Sequence, residues 1–200
     1  MIHPSQAVVV TVTCALAFAS LALGGCAITA DDPVGNTSEA RKAPALPDAS
    51  LAVPAGNEHA FRYDAAGVQI YECRSTPAST YAWAFVAPRA DLSKNGKLVG
   101  THYAGPTWES KDGSKVVGAK VAAFAPDPTA IPWLLLRAVS HAGVGRMDSV
   151  TYIQRLSTVG GLAPTSGCDA AHVLVRAEVP YTAAYYFHSP DEIDDGDDGE

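Results

Sequence analysis

The chain has 200 residues, 48% of them hydrophobic and 18% charged, with 14 Lys and Arg against 21 Asp and Glu and a formal net charge of −7. Seven of the acids lie between Asp191 and Glu200, so the preceding residues carry 21 minus 7, or 14, acids against 14 bases. A body so evenly balanced has no basic stripe to follow a phosphate backbone, which argues against nucleic-acid binding.

From Ala7 to Leu23 no residue is charged. The run is shorter than the roughly 20 residues of a membrane-spanning helix and ends in small residues, the pattern of a removable export signal. The n-region MIHPSQ has no Lys or Arg, so only the amino terminus and His3 supply its positive charge. The ending Leu23-Gly24-Gly25-Cys26 resembles the lipobox of bacterial lipoproteins. That resemblance implies removal of a signal peptide at 1–25 and lipidation of Cys26, with the membrane as partner through the N-terminal lipid. A plain signal peptide, an uncleaved anchor, and an unpaired Cys26 in a linker are the rival readings. Ala27, where an aspartate would retain a lipoprotein at the inner membrane, resembles the sorting choice for the outer membrane. The implied address is the cell envelope, facing the periplasm or the cell surface.

Residues 26–56 are rich in Ala, Pro, Asp and Ser and poor in large apolar side chains, which predicts a flexible tether. A chain of that length spans about 30 Å root-mean-square. Asn36-Thr37-Ser38 matches a glycosylation acceptor, relevant only in a eukaryotic source.

Residues 57–189 carry the grammar of strands and turns: short segments rich in Val, Ile, Tyr, Phe and Trp, broken by Gly, Pro, Asn-Gly and Asp-Gly. Strands are predicted at 59–64, 67–73, 80–87, 97–103, 106–110, 115–124, 133–140, 147–157, 172–179 and 183–188. Tyr81, Trp83 and Phe85 alternate onto one face, which predicts core. Asn95-Gly96 and Asp112-Gly113 suit hairpin turns. Pro132 should begin a strand or lie at an edge. The whole predicts one all-β domain, an antiparallel β-sandwich or barrel with short connecting turns.

Of the four cysteines, Cys14 falls in the signal and Cys26 at its end, which leaves Cys73 and Cys168 for the domain. In an oxidising compartment such a pair suggests a disulfide, with two buried free thiols as the alternative. Neither lies in a Cys-x-x-Cys or beside a His, so a zinc site is not indicated.

His102 to Glu109 gathers an imidazole, the rings of Tyr103 and Trp108, and a carboxylate around Gly105-Pro106. The mixture suits a sugar, a small ligand or, with His141, Glu109 or Asp112 folded beside His102, a metal. The plainer reading is a turn whose Trp108 packs in the core and whose Glu109 pairs with a nearby cation. Gln154 and Arg155 interrupt an apolar strand. An inward Arg155 calls for a carboxylate partner such as Glu72 or Glu109, whereas an outward one is solvated. Gly143-Val144-Gly145 and Gly160-Gly161 lack the context of phosphate loops and read as turns. The tail at 190–200 fails as a calcium loop, because Ile193 occupies a ligand position, and reads as a disordered acidic end.

Several blocks resemble a family of secreted bacterial and fungal proteins known only as domain of unknown function 3455. They are Gly67 to Cys73, Trp83 to Pro88, His102 to Glu109 with Asp112-Gly113-Ser114, Ala130 to Leu136, Thr151 to Arg155, Thr158 to Gly161, and Gly167-Cys168. Arg89 stands where the family pattern has an acid. The resemblance implies export, a β-rich fold and a bridge between Cys73 and Cys168, and it implies no activity.

The sequence thus points to a lipid-anchored, non-catalytic binding or structural module of the cell envelope. It needs no cofactor or metal, and its ligand would be an envelope polysaccharide or a small molecule. The alternative is a metal-dependent or hydrolytic enzyme centred on His102. Residues that could contact a ligand are His102, Tyr103, Trp108, Glu109, His141 and Arg155.

Overall fold

Alternation of apolar and polar residues resolves into eight strands in the computed structural model, which describes residues 44–191. The residues read as an export signal, Cys26 and the acidic residues beyond Asp191 lie outside those residues. The strands are β1 (Asn57–Ser75), β2 (Tyr81–Lys94), β3 (Lys97–Tyr103), β4 (Thr107–Ser110), β5 (Lys115–Phe124), β6 (Trp133–Ala142), β7 (Tyr152–Gly160) and β8 (Arg176–Pro190). Each pairs antiparallel with the next, and β8 returns to β1, giving a closed up-and-down barrel. No helix among the described residues is long and apolar enough to cross a membrane.

Two pairs of predicted strands are single strands. Ala65 lies between Leu92 on one side and Ala183 on the other, so the ladder runs unbroken from 59–64 into 67–73. Likewise β8 continues through Pro180, opposite Val68. The segment 147–157 is strand only from Tyr152, because residues 143–149 turn back on themselves with Gly143 and Gly145 at positive φ. The Asn95-Gly96 connection is a two-residue hairpin turn with φ of 51° and 73°, a conformation that asparagine and glycine accept readily. Pro132 immediately precedes β6, where a missing donor breaks no ladder.

Inward positions fill the barrel. Phe61 and Tyr63 from β1, Trp108 from β4, and Tyr185 and Phe187 from β8 meet Leu92, Val116, Leu136 and Ile153 in one core. Phe61 stacks on Phe187 with ring centroids 4.7 Å apart. One end is plugged by the turn before β7: Met147 and Val150 are buried, and the Arg146 guanidinium lies 4.5 Å over the Phe61 ring. Asp112 holds that turn by accepting from the Arg146 backbone N–H at 2.8 Å and from the Ser114 hydroxyl at 2.6 Å. An eight-stranded barrel has an interior that side chains just fill or that keeps room for one small ligand.

Residues 44–56, predicted as the end of the tether, lie instead as a strap along the outside of the barrel. Asp48 caps a 3-10 turn at Ala49–Leu51, accepting from the Ser50 N–H at 2.8 Å. Leu51 is completely buried against Leu135 and Leu156. Burying such a side chain contributes about 1.5 to 3 kcal/mol. Gln154, on the outward face of β7, donates to the Leu51 carbonyl at 2.7 Å. Beneath the strap a bulge at Ala60 brings His59 beside His188, their rings 5.7 Å apart, and His188 Nε2 meets Gln154 Oε1 at 2.9 Å.

Cys73 and Cys168 form a disulfide across a separation of 95 residues. It fixes the loop before β8 to β1, next to a hydrogen bond from the Trp83 indole to the Ser166 carbonyl at 2.9 Å. Tyr81 and Phe85 correct the sequence reading: they are exposed by 39% and 53%. Tyr71 pairs with Phe85, and Cys73 with Trp83, so the row does share a face with buried partners. Alternation reports the side of a strand but not the depth along the barrel, and here β1 and β2 run past the packed interior to its rim.

Candidate functional site

The geometry begins with the register of β3 and β4, in which His102 opposes Trp108 and Thr101 opposes Glu109. Opposed residues of a ladder share a face, and neighbours along a strand alternate. His102 and Trp108 therefore enter the barrel together, both almost fully buried, while Tyr103 and Glu109 leave it. The imidazole and indole stack with centroids 4.5 Å apart and 14° between planes. Tyr185 closes the group, 5.0 Å from the His102 ring and 5.3 Å from Trp108. Gly118 makes room for the indole, since a Cβ there would lie 3.0 Å from its Cζ3.

His102 Nδ1 lies 2.8 Å from the Thr107 carbonyl oxygen. A carbonyl only accepts, so Nδ1 carries the proton and Nε2 the lone pair. Burial holds the ring neutral, with its pKa lowered to about 3; the Thr107 carbonyl opposes that shift and the Arg155 charge adds to it. Burial also raises Tyr181 and Tyr185, which stay as neutral hydroxyls.

Arg155 enters from β7. Its Nε and Nη2 donate to the Pro132 carbonyl at 3.1 and 2.8 Å, and its charge reaches Tyr71, His102, Tyr181 and Tyr185. The carboxylate expected for an inward arginine is missing. Glu72 receives Arg74 and Arg176, each at 3.0 Å, and Glu109 receives Lys115 at 3.1 Å on the outside of the barrel. Among the described residues no acid pairs with Arg155.

These side chains border a cavity of about 160 Å³ at the end of the barrel opposite the plug, with Gln69, His102, Trp108, Leu136, Arg155 and Tyr185 in its wall. Phe85, Pro106 and Lys120 belong to the same wall nearer the rim. Gln69 Nε2, Trp108 Nε1 and the hydroxyls of Tyr181 and Tyr185 are buried without a well-aligned hydrogen-bond partner, and only a looser polar network joins Gln69 to Tyr181, Tyr181 to Tyr185 and Tyr185 to Arg155. Each such group costs about 1 to 3 kcal/mol unless something meets it.

Of the six residues singled out from sequence, the fold gathers His102, Trp108 and Arg155 at the cavity and leaves three elsewhere. Tyr103 donates to Glu109 Oε2 at 2.8 Å, and that hydroxyl, with Lys115, keeps the Glu109 carboxyl below its ordinary range. His141 lies opposite Val116 at the end of β6, its Nε2 2.7 Å from the Val150 carbonyl in the plugged end. Asp112 serves that plug as well. A metal or hydrolytic centre joining His102 to Glu109, His141 or Asp112 is therefore not assembled, and no three His, Cys, Asp or Glu side chains converge among the described residues. Gln69, Tyr181 and Tyr185 escaped the sequence reading. Their signal was period 2: a lone amide at an inward position of β1, and two tyrosines four apart on the inward face of β8.

A family model described as "Protein of unknown function (DUF3455)" matches residues 54–98 and 93–189, which together span the barrel. No curated protein and no solved structure matches the chain.

Proposed function

Because the chain belongs to the DUF3455 family, whose description names no activity, we propose from its geometry that it is a non-catalytic binding module taking one small, mostly apolar molecule into the barrel mouth. The observation that carries this reading is an open cavity with a largely apolar wall into which Arg155 brings a charge with no acid beside it, backed by buried polar groups that lack a well-aligned partner. Fully packed cores seldom leave such groups unmet, and pockets with apolar walls and a few convergent polar atoms are where small ligands bind. Size selects among ligands. About 160 Å³ is close to the roughly 150 Å³ of an engineered cavity that takes benzene, so one ring fits and a polysaccharide chain does not. A catalytic role for His102 lacks support, since its one proton is committed to Thr107 and no acid or second histidine stands beside it.

The proposed setting is extracytoplasmic, with Cys26 as the lipid attachment point and the membrane as partner. The lipobox-like ending supports this address, and so does the Cys73–Cys168 bridge, since disulfides persist in oxidising compartments. Arg62, Asp64, Arg74 and Arg89 face outward from β1 and β2, charges that a lipid-facing barrel wall excludes.

Thermal unfolding of the full chain with saturating toluene tests the binding reading. A ligand that binds only the folded state raises the midpoint. The expected result is a rise that Leu136→Trp, which fills the cavity, removes. No rise in the native protein would contradict the reading. For the address, Cys26→Ala should abolish incorporation of radiolabelled palmitate, and undiminished labelling would contradict it.

A further inference from the structure

We propose that the ligand of this cavity is a ring-sized carboxylate, its acid held by Arg155 and its ring laid against Trp108. The inference rests on the binding-module reading and deepens it. The charged residues of the wall are Lys120 and Arg155, and no Asp or Glu lines it. A guanidinium without an anionic partner is unusual in a half-buried position, where ions are ordinarily paired.

The buried polar groups around the chamber are mostly donors. Gln69 Nε2 and Trp108 Nε1 can only donate, and the Tyr185 hydroxyl can donate. Arg155 gives two of its five N–H groups to the Pro132 carbonyl and reaches the Tyr185 hydroxyl, with no carboxylate among its partners. The protein thus supplies a surplus of donors, and the molecule that completes the site supplies acceptors. A carboxylate brings two oxygens with about four lone-pair positions in a plane, the shape a guanidinium fork meets in two parallel bonds. A phosphate would carry a second negative charge into a chamber whose remaining wall is largely apolar, including Phe85, Pro88, Leu134 and Leu136.

Volume sets the size of the ligand. A cavity of about 160 Å³ takes one aromatic ring, and the aromatic side chains of its wall, Phe85, Trp108 and Tyr185, suit one. Larger substituents would leave by the mouth, past Phe85 and Pro106.

Benzoate, benzamide and toluene are titrated separately into the full chain at neutral pH, with binding followed calorimetrically. Benzoate should bind about tenfold or more tighter than isosteric benzamide, the ratio expected for charge-assisted hydrogen bonds. Arg155→Gln should erase that ratio while toluene still binds. Arg155→Lys, which keeps the charge but not the fork, should retain part of it, and Lys120→Gln should change it less than about threefold, as for a partly exposed charge. Equal binding of benzoate and benzamide by the native protein overturns the carboxylate inference and leaves the cavity reading standing. Loss of the ratio in Lys120→Gln rather than Arg155→Gln overturns the assignment to Arg155. Should Arg155→Gln fail to fold, the native comparison decides the carboxylate, and Arg155→Lys with Lys120→Gln decides which cation holds it. Failure of all three probes to bind removes the cavity reading, and this inference with it.

Discussion

Trp108 and Tyr185 touch in the same chamber, yet substitutions at the two should behave oppositely. Trp108→Ala removes a nearly fully buried indole and should cost about 3 to 5 kcal/mol in urea unfolding, whereas a loss below about 1 kcal/mol would mean the ring is not core. Tyr185→Phe removes a hydroxyl without a well-aligned partner, which touches Tyr181 and Arg155 only loosely, so its stability should stay within about 1 kcal/mol of native or rise. The buried imidazoles of His102 and His188 add a pH dependence. Their folded pKa values are lowered to about 3 and about 4, chiefly by burial. The unfolded chain then binds more protons than the folded one below about pH 6.5, so stability falls on acidification. Each imidazole contributes a slope of up to about 1.4 kcal/mol per pH unit. Urea midpoints should drop between about pH 7 and 5.5, above most of the range where carboxylates titrate, and His188→Gln should flatten the drop. A midpoint constant across that interval contradicts this assignment.

At the scale of elements, the strap and the disulfide loop make separable predictions. Leu51→Asp places a charge where Leu135 and Leu156 close over the side chain, so residues 44–53 should become open to limited proteolysis while the near-ultraviolet dichroism of the barrel persists. Strap cleavage no faster than in the native chain would contradict the packing. Replacing Cys73 and Cys168 together by Ser should lower stability by about 2 to 5 kcal/mol, the range for closing a long loop. The hairpin turns and the starts of β3, β5 and β6 were legible in the sequence because Asn95-Gly96, Asp112-Gly113 and Pro132 act locally. The fusion of short segments into β1 and β8 was not, since neither Asp64 to Gly67 nor Pro180 reveals that partners lie on both sides. The strap resembled a tether for a related reason: its one anchoring side chain, Leu51, finds its partners about 80 and 100 residues further on, at Leu135 and Leu156.

For the whole molecule, an all-β domain was readable but the choice between sandwich and barrel was not. That choice depends on β1 meeting β8, a pairing that joins the two ends of the domain and leaves no local trace. The candidate site was half legible for the same reason. His102 and Trp108 stood out as a cluster, but their separation from Glu109 follows from the β3–β4 register, and Arg155 joins them only when the sheet closes. Closure makes one end a plug and the other a mouth, and the mouth holds the acid-free Arg155 on which the functional reading rests. A crystal structure of the full chain grown with 4-bromobenzoate tests this most directly. The account predicts bromine density within the barrel mouth and both carboxylate oxygens within hydrogen-bond distance of Arg155. A mouth occupied only by solvent at saturating ligand, or a ligand seated with its acid away from Arg155, would contradict it.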